Sequence, residues 1–196
     1  MKQVLIIHGG NSFSHYKYYL EYLKYNAIHY DRIKPQKSWK TWTAEQMHDT
    51  DVLLPTFPNG SNAVYDEWKI YFEKLIPFLE DDVQLVGHSL GAMFLAKYLS
   101  ENPLVKPVKR IVLIAGGYDD DSNEDLGSFK VTSAKNINFS AREVCLLHSK
   151  DDPVVSFSEL AKFQADLPGA IVHIFSNYGH FNTETFPELL EILKQK

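Results

Sequence analysis

Six short apolar runs recur along the chain, at Gln3–Ile7, Asp51–Leu54, Val83–Val86, Arg110–Ala115, Glu143–Leu147 and Ile171–Phe175. Segments with helical spacing separate most of them: Ser14–Tyr25, Ala63–Leu79, Leu90–Ser100, Ser158–Asp166 and Phe186–Lys194. Strands buried on both faces need such unbroken Val, Ile and Leu runs, and parallel strands need crossover helices between them. The pattern therefore predicts an α/β fold, a mostly parallel sheet of about six strands with helices on both faces. Ser156-x-x-Glu159 and Thr185-x-x-Glu188 fit the capping-box pattern and mark expected helix starts.

A chain of 196 residues has room for one core. No repeat, low-complexity tract or Pro/Gly/Ser-rich linker divides it, so residues 1–196 read as a single domain. Two stretches break the strand–helix rhythm. Residues 27–50 form a polar connection dotted with Trp39 and Trp42, the kind of long loop that serves as a binding or lid segment. Residues 117–142 contain the acidic run Asp119 to Asp125. A calcium loop starting at Asp119 would need Gly at its sixth position and Glu at its twelfth, where Glu124 and Lys130 stand, so a solvated acidic loop is expected.

Composition narrows the function classes. A net charge of −5 has the wrong sign for gripping a phosphate backbone, so no nucleic-acid partner is expected. Val4–Ile7 is too short for a signal-peptide core or a membrane span, which leaves a cytoplasmic location and no membrane partner as the expectation. The single cysteine, Cys145, excludes an internal disulfide framework and fits a small core residue in a reducing compartment. No His-Glu-x-x-His pair or similar ligand spacing occurs, so neither a metal nor another cofactor is expected.

The chemistry-bearing motif is Gly87-His88-Ser89-Leu90-Gly91, set between the apolar run Val83–Val86 and a helix-forming segment. A nucleophile elbow needs that strand–turn–helix context. The turn strains the serine backbone, leaves no room for side chains two residues to either side, and lifts the hydroxyl above the sheet edge. The N-terminus of the following helix then faces developing negative charge.

A serine hydroxyl needs a base, and the base needs a group that fixes its tautomer. Asp151-Asp152-Pro153 follows the fifth apolar run, and His180 follows the sixth. Both lie where strand C-terminal ends converge on Ser89, in the order Ser, Asp, His expected after an elbow. The residues themselves leave Asp151 and Asp152 both open as the acid. His180 is the expected base; His148 precedes the acidic turn, and His15, His29, His48 and His173 read as solvated or hydrogen-bonded. For the oxyanion, the expected donors are the Leu90 N–H and, from His8-Gly9-Gly10-Asn11, the N–H of Gly10, with Asn11 as the alternative.

Gly-His-Ser-Leu-Gly, Asp-Asp-Pro-Val-Val and Gly-His-Phe together resemble the α/β-hydrolase superfamily, and within it the small retinoblastoma-binding-protein-9-like (YdeN-like) serine hydrolases. The resemblance spans nearly the whole chain. It implies a single-domain α/β-hydrolase fold lacking the first two strands of larger relatives, a Ser-Asp-His triad and carboxylesterase-type activity on small acyl substrates. The segment where larger relatives insert a cap spans only about residues 117–142, so a minimal cap is expected. It also implies that the acid is the Asp immediately before Pro, Asp152, with His180 as base. Residues 27–50 look longer than their counterpart in small relatives of that family.

The function expected is therefore acyl-enzyme hydrolysis of a small ester or related acyl substrate by Ser89, His180 and Asp152, with Leu90 and Gly10 binding the oxyanion. The competing expectation is a binding module that keeps the elbow without turnover. A Ser89–His180 separation of about 2.6–3.2 Å favours the first, and a plugged pocket or an averted His180 ring favours the second. Trp39, Trp42, Phe57, Tyr118, Phe157 and Phe181 are candidate pocket aromatics, and Tyr16–Tyr25 reads as an amphipathic helix face.

Overall fold

In the computed structural model, which describes residues 2–119 and 125–195, the six apolar runs form one sheet. The strands are β1 (Lys2–Ile7), β2 (Thr50–Leu53), β3 (Gln84–His88), β4 (Val108–Ile114), β5 (Ala141–Ser149) and β6 (Ile171–Phe175). They lie in the order β2-β1-β3-β4-β5-β6, and every adjacent pair is parallel. The helices are α1 (Tyr16–Tyr25), α2 (Tyr30–Ile33), α3 (Trp39–Gln46), α4 (Tyr65–Leu75), α5 (Leu90–Glu101), α6 (Glu159–Asp166) and α7 (Pro187–Lys194).

Successive strand residues point to opposite faces, and in the inner strands β1, β3, β4 and β5 both faces are largely buried. Leu5, Ile7, Leu85, Ile111, Leu113 and Leu146 enter one core with residues of α4, α5 and α6. Val4, Ile6, Val86, Val112, Ile114 and Leu147 enter the other, with Trp39 of α3 and four residues of α7. The first core is centred on Phe94 of α5, whose ring meets those of Phe57, Tyr65, Trp68, Phe72 and Tyr98. Arg110, buried beneath the sheet, donates to Glu143, to Gln84 and to the Ile192 carbonyl, which ties β4 to its neighbours and to the end of α7.

The strand order reverses between β1 and β3, because the chain leaves β1 toward β2 and returns on the other side of β1 as β3. Crossovers that depart in opposite directions open a crevice at that point, beyond the C-terminal ends of the two strands. The loop holding Gly9 and Gly10 and the turn holding Ser89 both open onto it.

Several expectations are corrected. Residues 27–50 are not an irregular loop but carry α2 and α3. Ser38 caps α3 by accepting the Lys40 N–H, and Trp39 and Thr43 are its buried pair. Neither capping box forms: α6 starts after Ser158 and α7 after Phe186. Glu159 is instead fully buried and accepts the N–H groups of Tyr118 and Asp119, with Lys162 against its other oxygen. Tyr16–Tyr25 is helical, yet none of its residues is buried. The region between β4 and β5, where a cap would insert, contains two short 3-10 turns, Gly127–Phe129 and Lys135–Phe139. The acidic run of 119–125 lies largely outside the described residues. Cys145 is buried in the second core.

Candidate active site

Gly87 and Gly91 make the turn after β3 possible. A Cβ on Gly87 would stand 2.5 Å from the Gly91 carbonyl oxygen, and one on Gly91 would stand 2.5 Å from the Ile7 oxygen. Both clashes are with backbone, which has nowhere to move. Between the two glycines Ser89 adopts φ 55° and ψ −121°, a conformation that costs an L-residue of order 1–3 kcal/mol. The Ser89 N–H donates to the Ile114 carbonyl at 2.8 Å, and its own carbonyl accepts from Ala92 and Met93, so strand and helix together hold the strain.

His180 meets that hydroxyl: Nε2 lies 2.8 Å from Ser89 Oγ. On the other side of the ring, Nδ1 lies 2.8 Å from Asp152 Oδ2. A carboxylate only accepts, so Nδ1 carries the proton, and in the neutral ring Nε2 is left to accept from the serine hydroxyl. The Asp152 side chain is fully buried, and its Oδ1 takes the N–H groups of Val154 at 2.8 Å and Val155 at 3.0 Å.

Asp151, the alternative left open by the residues alone, points elsewhere. Its carboxylate accepts from the Ser149 hydroxyl and from the Gly179 N–H, bracing the loop that carries His180. The Ser149 hydroxyl bond, foremost, holds the Asp151 carboxyl below its ordinary pKa. His148 is buried beside this turn and bonds to the Val155 carbonyl, and burial lowers its pKa.

The loop after β1 supplies the other wall. Asn11 spends its N–H on the Gly60 carbonyl at 2.9 Å, whereas no acceptor among the described residues takes the N–H of Gly10. Leu90 opens α5, so its N–H has no partner in its own helix. His8 Nδ1 donates to the Gly9 carbonyl at 2.6 Å while Nε2 accepts the Phe57 N–H at 2.8 Å, which fixes the loop's course.

Two buttresses were not legible in the sequence. Trp39 of α3 donates its indole N–H to the Phe181 carbonyl at 2.9 Å and its backbone N–H to Thr183 at 3.0 Å. His88, beside the serine, donates from Nε2 to the carbonyl of His180 itself at 2.9 Å. Burial, reinforced by the nearby Lys40 ammonium, pushes the His88 pKa well below the usual histidine range. Phe181 sits at φ 54° and is fully buried, so the residue after His180 is strained and packed at once.

Ser89, His180, Gly10 and Leu90 line a cavity of about 520 Å³ together with Lys40 and Tyr22. Of the six aromatics expected to line it, none does. Phe57 belongs to the first core, and Trp39 and Phe181 line an adjoining cavity of about 490 Å³. Tyr22, from the exposed helix α1, is the aromatic that reaches the site. Among the described residues no cluster of three or more His, Cys, Asp or Glu is placed to hold a metal ion, and no helix is long and apolar enough to cross a membrane.

A family model described as serine hydrolase matches residues 30–194. The serine hydrolase RBBP9 of Rattus norvegicus is 24% identical over 169 residues, which cover 80% of this chain and 84% of that protein. Among solved structures, the ydeN gene product of B. subtilis superposes with a TM-score of 0.79 at 22% identity, covering 98% of this chain and 97% of that one. A meta-cleavage product hydrolase from Pseudomonas fluorescens superposes with a TM-score of 0.66 at 14% identity, over 99% and 88% of the two chains. These structural likenesses establish the shared α/β-hydrolase fold.

Proposed function

The chain belongs to the serine hydrolase family, and from that premise we propose that it cleaves a small carboxylic ester or related acyl bond through a covalent intermediate on Ser89. The observation that carries the proposal is the 2.8 Å contact between Ser89 Oγ and His180 Nε2, continued at 2.8 Å from Nδ1 to Asp152. Both distances fall in the range at which a base takes a proton. The cavity in front of Ser89 gives a substrate access, which favours turnover over a silent binding module.

In this mechanism Ser89 Oγ attacks the acyl carbonyl as its proton passes to His180 Nε2. The resulting imidazolium is stabilised through Nδ1–H by the buried Asp152 carboxylate. The carbonyl oxygen becomes an oxyanion and accepts the N–H groups of Leu90 and Gly10, whose positions are fixed before the reaction begins. Collapse breaks the bond to the leaving group, which departs with the proton from His180. Water then enters, gives a proton to His180 and releases the acid from Ser89 by the same steps in reverse.

The test is Ser89→Ala assayed with p-nitrophenyl esters of graded chain length and with a fluorophosphonate probe. Turnover and labelling are expected to vanish while the circular dichroism spectrum and melting temperature stay close to wild type. Labelling that survives in Ser89→Ala overturns the assignment, and an unlabelled, inactive wild type leaves the fold as a binding module.

A further inference from the structure

We propose that Lys40 makes one end of the active-site cavity an anion-binding subsite, so that the acyl substrates taken are those bearing a carboxylate close to the scissile bond. That such anions are substrates rests on the hydrolase reading above, while the anion site itself rests on where the ammonium stands.

Lys40 lies on α3, the helix inserted before β2, and lines the cavity that holds Ser89 and His180 as well as the adjoining one. It therefore stands where the two meet, with Asn182 beside it in both linings. Its Nζ sits over the Trp39 ring, 4.5 Å from the centroid. The same Trp39 is locked by its bonds to Phe181 and Thr183, so the platform under the ammonium is rigid.

What the ammonium lacks, among the described residues, is an anion. Most other lysines in ion pairs of this chain are surface residues facing a surface carboxylate, as Lys2 does Asp49 and Lys106 does Asp81. Lys40 is mostly buried, and among the described residues no carboxylate lies within salt-bridge distance of it. Among the described residues the acids nearest the cavity are already engaged: Asp152 with His180, Val154 and Val155, and Asp125 with the N–H and hydroxyl of Ser14 and the N–H of Gly127. The Trp39 face offsets only part of the cost of burying the charge. Burial lowers the Lys40 pKa to about 8, still protonated at neutral pH. A cation held at a cost, on a rigid support, in the wall of a reaction cavity is what an incoming carboxylate compensates.

The experiment uses two matched pairs of esters. Mono-4-nitrophenyl glutarate and its methyl diester place the charge, or its absence, on the acyl side; 4-acetoxybenzoate and its ethyl ester place it on the leaving side. The ratio of kcat/KM for the anionic over the neutral member is measured for wild type, Lys40→Met and Lys40→Arg, and glutarate binding is measured by calorimetry without turnover. In at least one pair the ratio is expected to fall on the order of 10- to 100-fold in Lys40→Met and to be largely kept in Lys40→Arg, with glutarate binding lost in Lys40→Met. Esters hydrolysed with ratios and glutarate binding indifferent to Lys40 overturn the subsite and leave the hydrolase intact. Glutarate bound in a Lys40-dependent way by a protein that turns over no ester keeps the anion site and removes the hydrolase. Neither hydrolysis nor binding removes both.

Discussion

Trp39 donates its indole N–H to the backbone carbonyl of Phe181 at 2.9 Å, joining the helix ahead of β2 to the residue that follows His180. The two residues are 142 positions apart in sequence, and the bond holds Phe181 in a left-handed backbone conformation that its bulk disfavours. Trp39→Phe keeps most of the ring and removes the donor. The expected result is a drop in kcat of about 5- to 50-fold, with KM for a neutral ester changed far less, because the base loses its setting and the substrate keeps its contacts. Steady-state kinetics of the variant check this.

Asp151 and Asp152 are neighbours with different partners, Asp151 on Ser149 and Gly179, Asp152 on His180. Asp152→Asn leaves an amide that can present its N–H to His180 and so favours the wrong tautomer. A fall in kcat of about 10³–10⁴ is expected. Asp151→Asn loosens only the Gly179 and Ser149 contacts, and its loss is expected to stay within about tenfold. Parallel assay of the two variants tests the pair, and equal losses would contradict the division.

The charge on Lys40 has a thermodynamic signature. Its folded pKa, about 8, is below the ordinary value of 10.5, so the unfolded chain holds that proton more tightly. Wild-type stability is therefore expected to gain from Lys40 as pH rises from about 8 to 10.5, by up to about 3 kcal/mol, and Lys40→Met should be the more stable protein at pH 7 and lack this rise. Among the described residues the titratable groups that share its cavity are His8, His88, His180, Tyr22 and Asp125, all present in both proteins. Loss of the Lys40 charge also relieves His88, whose lowered titration lies below this window, so the difference between the stability-versus-pH curves above about pH 8 reports residue 40. Denaturant midpoints measured between pH 6 and 10 give the answer.

Cys145 should be chemically silent. Burial pushes its thiol pKa up to about 12, and only the thiolate attacks disulfide or alkylating reagents. A chromogenic disulfide reagent is expected to leave the folded protein unmodified over minutes and to titrate one thiol after denaturation. Fast modification of the native protein would show that this strand opens.

The strands were plain in the sequence because a parallel sheet demands continuous apolar runs, and the elbow was plain because its glycines stand at fixed offsets from the serine, even though the clash that Gly91 avoids is with the distant Ile7. The separation of Asp151 from Asp152 was not local. It depends on which carboxylate the turn after β5 aims inward, and only the resemblance pointed to Asp152, the one that meets His180. Residues 27–50 hid α3 for a related reason. Its buried stripe is one pair, Trp39 and Thr43, too narrow to register as amphipathic, and its role depends on partners more than 140 positions away. Glu159 shows the converse, since the residues of a capping box were present while the carboxylate found stronger employment on the Tyr118 and Asp119 amides.

His180 stands 91 positions after Ser89, and α7, which covers the second core, comes later still. A nascent chain emerging from the ribosome thus displays its elbow long before the imidazole that meets its hydroxyl exists. On the proposed reading the serine stays inert through those 91 residues of synthesis, and the reactive hydroxyl arises only as the later elements dock.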